Sequence, residues 1–341
     1  MQQVAIDLGG RESQLCARAT DGSILKETRV ATKSLPKLLA AMEPSRVILE
    51  TSAEAFRIAD AALAHGHQVR VVPATLVKQL GVGARGVKND RRDAQPLSEV
   101  SCRIELPSVH VPSQLARELK SQCGSREILI KARTMLINNV RGWLRTQLVR
   151  IRTGSTATFQ QRAREYLQPH QLSLPEHIER QIVLLDALKL QVTAADQQLV
   201  KLADEHPVCR RLMTVPGVGP VTAVRFVAAI DDVTRFPNAH AVESYLGLTP
   251  GENSSSERKQ HTGITKAGAM EVRRAQIQAA WAAYRKAPNE PMVGWAMQIA
   301  ARWGVFIAVV ALARKLAGIL FAMWRDGTSY RRSKSAEVAP T

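Results

Sequence analysis

Short apolar runs alternate with helical stretches over the first hundred residues. "VAIDL", "QLCARA" and "ILKETRV" come first, followed by "LPKLLAAM", "RVILE", "FRIADAALAHG" and "QVRVVP". Compact runs of apolar and β-branched residues read as strands and longer amphipathic stretches as helices. The order therefore predicts three strands and then strand–helix alternation, an α/β domain on a mixed sheet. From about Pro112 to Glu205 the pattern changes to long helices, "LARELKSQCGSREILIKARTMLINNVRGWLRTQLVRI" and "HIERQIVLLDALKLQVTAADQQLVKLADE", separated by "RTGSTATF" and "QPHQLSLPE". Their apolar positions hold no strict heptad throughout, so the pattern fits either a coiled-coil arm or a plain helical hairpin. A third region, helical and basic, begins after Pro207, and the polar end "RRSKSAEVAPT" is expected to be a disordered tail. The expected division is residues 1–108, 109–205, 206–330 and 331–341, without an internal repeat.

The 341 residues, 45% of them hydrophobic, suffice for more than one buried core. Lys and Arg number 47 against 30 Asp and Glu, a formal net charge of +17, which favours a polyanionic partner and above all nucleic acid. Cys16, Cys102, Cys123 and Cys209 lie far apart, with neither paired spacing nor histidines at ligand spacing, and read as reduced thiols of a cytoplasmic protein. "MQQVAIDLGG" enters a strand pattern at once, without a basic segment and apolar stretch to direct export. "WGVFIAVVALARKLAGILFAMW" approaches the length of a membrane span, but Arg314 and Lys315 at its middle argue for a buried alanine-rich helix and no membrane partner.

Asp7 lies within an apolar strand pattern and Glu50 ends another. A carboxylate at the end of a buried strand is costly unless something pairs with it. In "KNDRRDAQ", Asp90 and Asp93 are three apart, which on a helix puts both on one face. Four acids from two strands and one helix would repel one another without a cation, and oxygen ligands favour Mg²⁺, as in ribonuclease-H-type sheets. The competing reading makes Asp90 and Asp93 surface partners of Lys88, Arg91 and Arg92, and Asp7 a cap on the "LGG" turn. "IDLGG" also looks like the first phosphate loop of actin-like sugar kinases, but the second such loop is missing.

"LMTVPGVGPVTAVRFVAAI" carries Gly217 and Gly219 in the pattern of a helix-hairpin-helix turn. Such a turn can bring backbone N–H groups to a phosphate, or can be a tight interhelical turn with no ligand. After "LGLTPGEN" come Ser254, Ser255 and Ser256, with Arg258, Lys259, Lys266, Arg273 and Arg274 in the following segment. A serine among cations is a candidate nucleophile toward phosphorus, since the cations would stabilise the developing charge; the alternative is a flexible serine loop beside phosphate-contacting arginines.

Taken in order, "IDLGG", "ILETSAEAF", "VVPATLVKQL", "KNDRRDAQ", "VPGVGPVTA", "RFPNAHAVESYLGLTPGENSSSERKQHTGITKAG" and "ALARKLAGILFAMWRDGTSY" resemble the DEDD transposases of the insertion-sequence-110 family, also called bridge-RNA-guided recombinases. The resemblance runs from Val4 to about Tyr330. It implies a RuvC-like domain whose four acids are Asp7, Glu50, Asp90 and Asp93, binding Mg²⁺, and a C-terminal transposase domain with a nucleophilic serine. That serine aligns with Ser255, with Ser254 as the alternative. Ser256 stands where the family usually has glycine, and Ala53 and Phe56 stand where it has glycine and tyrosine.

The implied activity is excision and insertion of an element through serine attack on DNA phosphodiesters. The implied partners are donor and target DNA, a noncoding bridge RNA, and further copies of the chain as a dimer or tetramer. Two other readings stay open: a metal-dependent nuclease like the Holliday junction resolvases, and a non-catalytic DNA-binding protein using the helix-hairpin-helix alone.

Overall fold

The computed structural model describes residues 1–79, 94–168, 173–252 and 261–331, which divide into two compact units, residues 1–112 and 113–341. The first opens with β1 (Gln3–Asp7), β2 (Glu12–Arg18) and β3 (Ile24–Ala31), then α1 (Leu35–Ala40), β4 (Arg46–Glu50), α2 (Ala55–Ala64), β5 (Gln68–Val72), α3 (Ala74–Gln79) and α4 (Ala94–Arg103). The five strands form one mixed sheet in the order β3-β2-β1-β4-β5, antiparallel from β3 to β1 and parallel from β1 through β4 to β5.

The sheet is covered on both faces, which explains why β1 and β4 are apolar at every interior position rather than at alternate ones. Val4, Ile6, Val47 and Leu49 pack with Leu35 and Leu39 of α1 and Ile58 and Ala62 of α2. Ala5, Ile48 and Val72 point the other way and pack with Val77 of α3 and Leu97 of α4. β3 lies at the edge, and its mostly exposed side chains suit a strand with only one covered neighbour.

Among the described residues the second unit is helical apart from one antiparallel pair of short strands. It comprises α5 (Gln114–Thr146), α6 (Phe159–Leu167), α7 (Glu176–Glu205), α8 (Pro207–Leu212), α9 (Pro220–Ile230), α10 (Ala239–Tyr245), β6 (Pro250–Glu252), β7 (His261–Ile264), α11 (Met270–Lys286), α12 (Pro291–Trp303) and α13 (Val305–Arg325). α5 starts cleanly because the Ser113 side chain accepts from the Ala116 amide, while Asp231 accepts from both the amide and the hydroxyl of Ser113. α5 and α7 run antiparallel as a pair roughly 50 Å long. At one end Leu119, Cys123, Leu199 and Ala203 join the main C-terminal core; at the other, Ile137, Val140, Ile178 and Ile182 enclose Phe159 and Ala163 of α6. The long helices are thus rooted in the same core as α8–α13.

α13 is the one helix among the described residues long and apolar enough to cross a membrane by length and composition. Its Leu312, Ala313, Leu316, Ala317 and Leu320 are fully buried in the C-terminal core, and Arg314 reaches Glu243 of α10 at 2.6 Å.

Candidate active site

Asp7 is the last residue of β1 and Glu50 the last of β4, two adjacent parallel strands whose register pairs Ile6 with Leu49. The carboxylates therefore leave the sheet side by side at its carboxyl end. Side chains alternate along a strand, so Asp7 shares the face of Ala5, and Glu50 that of Ile48, which is the face covered by α3 and α4. Both residues are half-buried.

The turns beyond the two acids are tied down. After Asp7, Gly9 comes so close to the Glu12 carbonyl that a Cβ there would lie 2.3 Å from its oxygen, and the Thr32 hydroxyl donates to the Gly9 carbonyl at 2.6 Å. Past Glu50, the Thr51 amide donates to the Val72 carbonyl at 2.9 Å, and the Thr51 hydroxyl accepts from the Ala74 amide at 3.0 Å. α4 is fixed on the same face: Ala94 and Leu97 are buried, and Ser98 accepts from Arg18 Nε of β2 at 2.8 Å.

Asp90 and Asp93, with Lys88, Arg91 and Arg92, lie outside the described residues, as do Ser254, Ser255, Ser256, Arg258 and Lys259. Of the four predicted acids the structure therefore describes Asp7 and Glu50, and it brings these two together. Among the described residues, no group of three or more His, Cys, Asp or Glu is arranged to hold a metal ion. Two neighbouring carboxylates at the end of buried strands still offer the hard oxygen donors that suit Mg²⁺.

In the second unit, Gly217 and Gly219 differ in what they meet. Gly217 has φ +87°, and a Cβ there would lie 2.3 Å from the Ala279 carbonyl oxygen and 2.7 Å from the Ala283 nitrogen, so glycine is required for packing against α11. Gly219 has φ −102° and is the residue from which α9 starts; a Cβ there would meet nothing.

The segment carrying the serines is flanked by β6 and β7, two short strands that the apolar pattern did not announce. The base of this hairpin is braced. Arg273 is buried, and its Nη1 donates to the Leu246 carbonyl at 3.1 Å and to the Ala267 carbonyl at 3.0 Å. Gly247 (φ +67°) lies against Ala267, where a Cβ would be 2.1 Å from the carbonyl oxygen. Lys266 is exposed and holds φ +56°. Arg274 is engaged with Glu127 at 3.0 Å and Glu271 at 3.2 Å.

Arg225 was passed over in the sequence, although a cation inside the apolar "VTAVRFVAAI" is itself the signal. Its side chain is 6% exposed and pairs with Glu127 of α5 at 3.1 Å and Glu271 of α11 at 3.2 Å. The guanidinium thereby binds three helices together and aligns α11, whose N-terminal turns carry Arg273.

Two family profiles match the chain: "Transposase", of the DEDD type found in the IS110 group, over residues 4–148, and "Transposase IS116/IS110/IS902 family" over residues 209–292. The transposase for insertion sequence element IS1111A of Coxiella burnetii is 25% identical over 334 residues, covering 96% of this chain and 91% of that protein. The transposase for insertion sequence element IS1328 of Yersinia enterocolitica is 23% identical over 338 residues, covering 96% and 98% respectively. A 43.6 kDa protein of insertion element IS110 from Streptomyces coelicolor is 32% identical over 154 residues, 45% of this chain and 38% of that protein. With both profiles matched in order and relatives aligned along nearly the whole length, the chain belongs to the IS110 family of transposases.

Proposed function

We propose that this transposase excises and inserts an insertion sequence by serine attack on DNA phosphodiesters, with a carboxylate site at the end of a RuvC-like sheet. The observation that carries the reading is the alignment of Asp7 and Glu50 at the ends of two adjacent parallel strands, on the face against which α4 is fixed. The sheet order β3-β2-β1-β4-β5, with an antiparallel first half and a parallel second half, supports the ribonuclease-H type of fold. Asp90 and Asp93, just before α4 in the chain, are proposed to complete the set. Asp7, Glu50, Asp90 and Asp93 would hold Mg²⁺, which when bound supplies charge to neutralise phosphate oxygens.

The proposed nucleophile is Ser255, with Ser254 as the alternative. Its oxygen forms a bond to phosphorus as the bond to the 3′-oxygen of the leaving strand breaks. The serine gives up its proton, the leaving oxygen gains one, and the 5′-phosphate stays on the protein. Arg258, Lys259 and Lys266 are proposed to stabilise the charge that develops at phosphorus. Arg273, which is buried, acts in this reading by bracing the Leu246 and Ala267 carbonyls before β6 and after β7 rather than by touching DNA.

Donor and target DNA are the proposed substrates, with a bridge RNA supplying sequence choice by base pairing. The net charge of +17 supports backbone recognition of both. The turn from α8 to α9 is proposed as a helix-hairpin-helix, in which the open N-terminus at Gly219 meets phosphate. Ile128 and Met135, seven residues apart on α5, and Leu190 on α7 are each at least 66% exposed, which supports pairing of copies through a coiled-coil arm. Asp7→Asn and Glu50→Gln test the reading: each should abolish strand cleavage while leaving the melting temperature and DNA affinity near those of wild type. Full cleavage by both variants would refute it.

A further inference from the structure

The corner between α12 and α13 carries a surface that none of the roles above uses. Gly304 alone joins the two helices, in a left-handed conformation (φ +89°) that favours glycine. α13 is anchored one turn past it through Ala308 and Val309, and α12 two to three turns before it through Val293 and Ala296, all at most 1% exposed. At the corner itself every residue from 301 to 307 is exposed, including Trp303 at 69%, Phe306 at 80% and Ile307 at 55%. Large rings held this far into solvent on a rigid mount mark a surface that meets a partner.

Two features identify the partner. Phe306 does not stand alone: its ring centroid is 5.8 Å from that of Trp281 on α11, and Arg285 lies over the Trp281 ring at 5.1 Å. The surroundings are cationic, since between Trp281 and Phe306 the chain has Arg285, Lys286 and Arg302 against Glu290 alone, and Glu290 accepts a hydrogen bond from Tyr330. Two copies meeting through this patch would set like charges against each other, whereas a polyanion complements it. A paired duplex hides the faces of its bases, so exposed aromatic rings among cations gain most from bases that are unpaired.

We propose that the α12–α13 corner is a stacking platform for unpaired bases, with Trp303 and Phe306 receiving them and Arg285, Lys286 and Arg302 holding the flanking phosphates. The proposal rests on the transposase reading, in which nucleic-acid strands open during exchange.

The test is equilibrium binding of the full chain to a labelled mixed-sequence single strand and to its duplex, in metal-free buffer so that no chemistry is read. Trp303→Ala and Phe306→Ala should each weaken single-strand binding by about tenfold while duplex affinity stays within about twofold, and Phe306→Tyr should keep wild-type affinity. Circular dichroism checks that the variants remain folded, and Phe306→Tyr provides a second variant with the ring retained. Unchanged single-strand affinity in both alanine variants, or equal losses for single strand and duplex, would overturn the proposal. So would a dimer in sedimentation that Phe306→Ala dissociates without affecting single-strand binding, which would make the corner a contact between copies. Binding to phosphatidylserine vesicles that Phe306→Ala abolishes, with single-strand binding intact, would make it a membrane contact and overturn the proposal too. Wild type that binds duplex but not single strand overturns the platform alone, and wild type that binds neither overturns the functional reading with it.

Discussion

Replacing Gly217 with alanine separates packing from ligand contact in the turn between α8 and α9. The new methyl would have to occupy space 2.3 Å from the Ala279 carbonyl oxygen, 2.7 Å from the Ala283 nitrogen and 2.9 Å from the Ala283 Cβ, mostly backbone atoms that cannot turn aside. The left-handed backbone at φ +87° costs an L-residue about 1–2 kcal/mol, and forcing a group into a filled site costs about 1–3 kcal/mol more. The sum is about 2–5 kcal/mol, which for a unit of this size lowers the melting transition by about 10 °C. Gly219→Ala is the control, because its backbone is extended and its Cβ meets nothing; stability should change by less than about 0.5 kcal/mol. Scanning calorimetry measures both, and duplex titration of Gly219→Ala should show weaker binding from the methyl at the proposed phosphate approach. A Gly217→Ala protein that melts with wild type would refute the packing argument.

Other outcomes follow from the same structure. Glu127→Ala leaves the nearly buried Arg225 with a single carboxylate partner, Glu271, beside the Cys123 carbonyl, and should destabilise the second unit by about 3 kcal/mol in urea titration, whereas Arg225→Met with Glu127→Leu should cost less than the single change. Burial, reinforced by nearby Cys123, pushes the Cys209 thiol up to about 12. The folded protein therefore holds that proton where the unfolded chain has released it, so the contribution of Cys209 to stability is fully present below pH 9 and is lost as pH rises from about 9 toward 12, a fall that denaturant titration across that range measures. The logarithm of the affinity for duplex DNA should fall linearly with the logarithm of salt concentration, as counterion release requires, and a flat salt profile by fluorescence anisotropy would contradict backbone recognition.

Much of this architecture was legible in the chain. β1 and β4 are covered on both faces, so their interiors read as short continuous apolar runs, and the acids that end them stood out against those runs. The long helices declared themselves by length, and α13 by its apolar content, with the cation at Arg314 accounted for by Glu243. Other features were silent for physical reasons. β6 and β7 have three and four residues, too few to carry alternation, and α6, nine residues between two loop-like stretches, is too short to show a sustained helical period. Arg273 and Arg274 are adjacent cations that composition cannot tell apart. Only the fold assigns one to backbone carbonyls beneath the hairpin and the other to an ion-pair network. The different demands on Gly217 and Gly219 likewise come from α11, some sixty residues further along the chain.

In the proposed reaction a serine of this chain attacks DNA, and the carboxylates at the strand ends are required for it. Its most direct measurement is denaturing electrophoresis of labelled element-end DNA incubated with the full chain, Mg²⁺ and RNA transcribed from the element's flanks, followed by peptide mapping of any protein–DNA adduct. The account predicts an adduct on the peptide containing Ser254 and Ser255, absent from Ser255→Ala and from Asp7→Asn. Strand cleavage by wild type with no adduct, even when the reaction is trapped early, would contradict it and would assign the carboxylates to a nuclease that uses water.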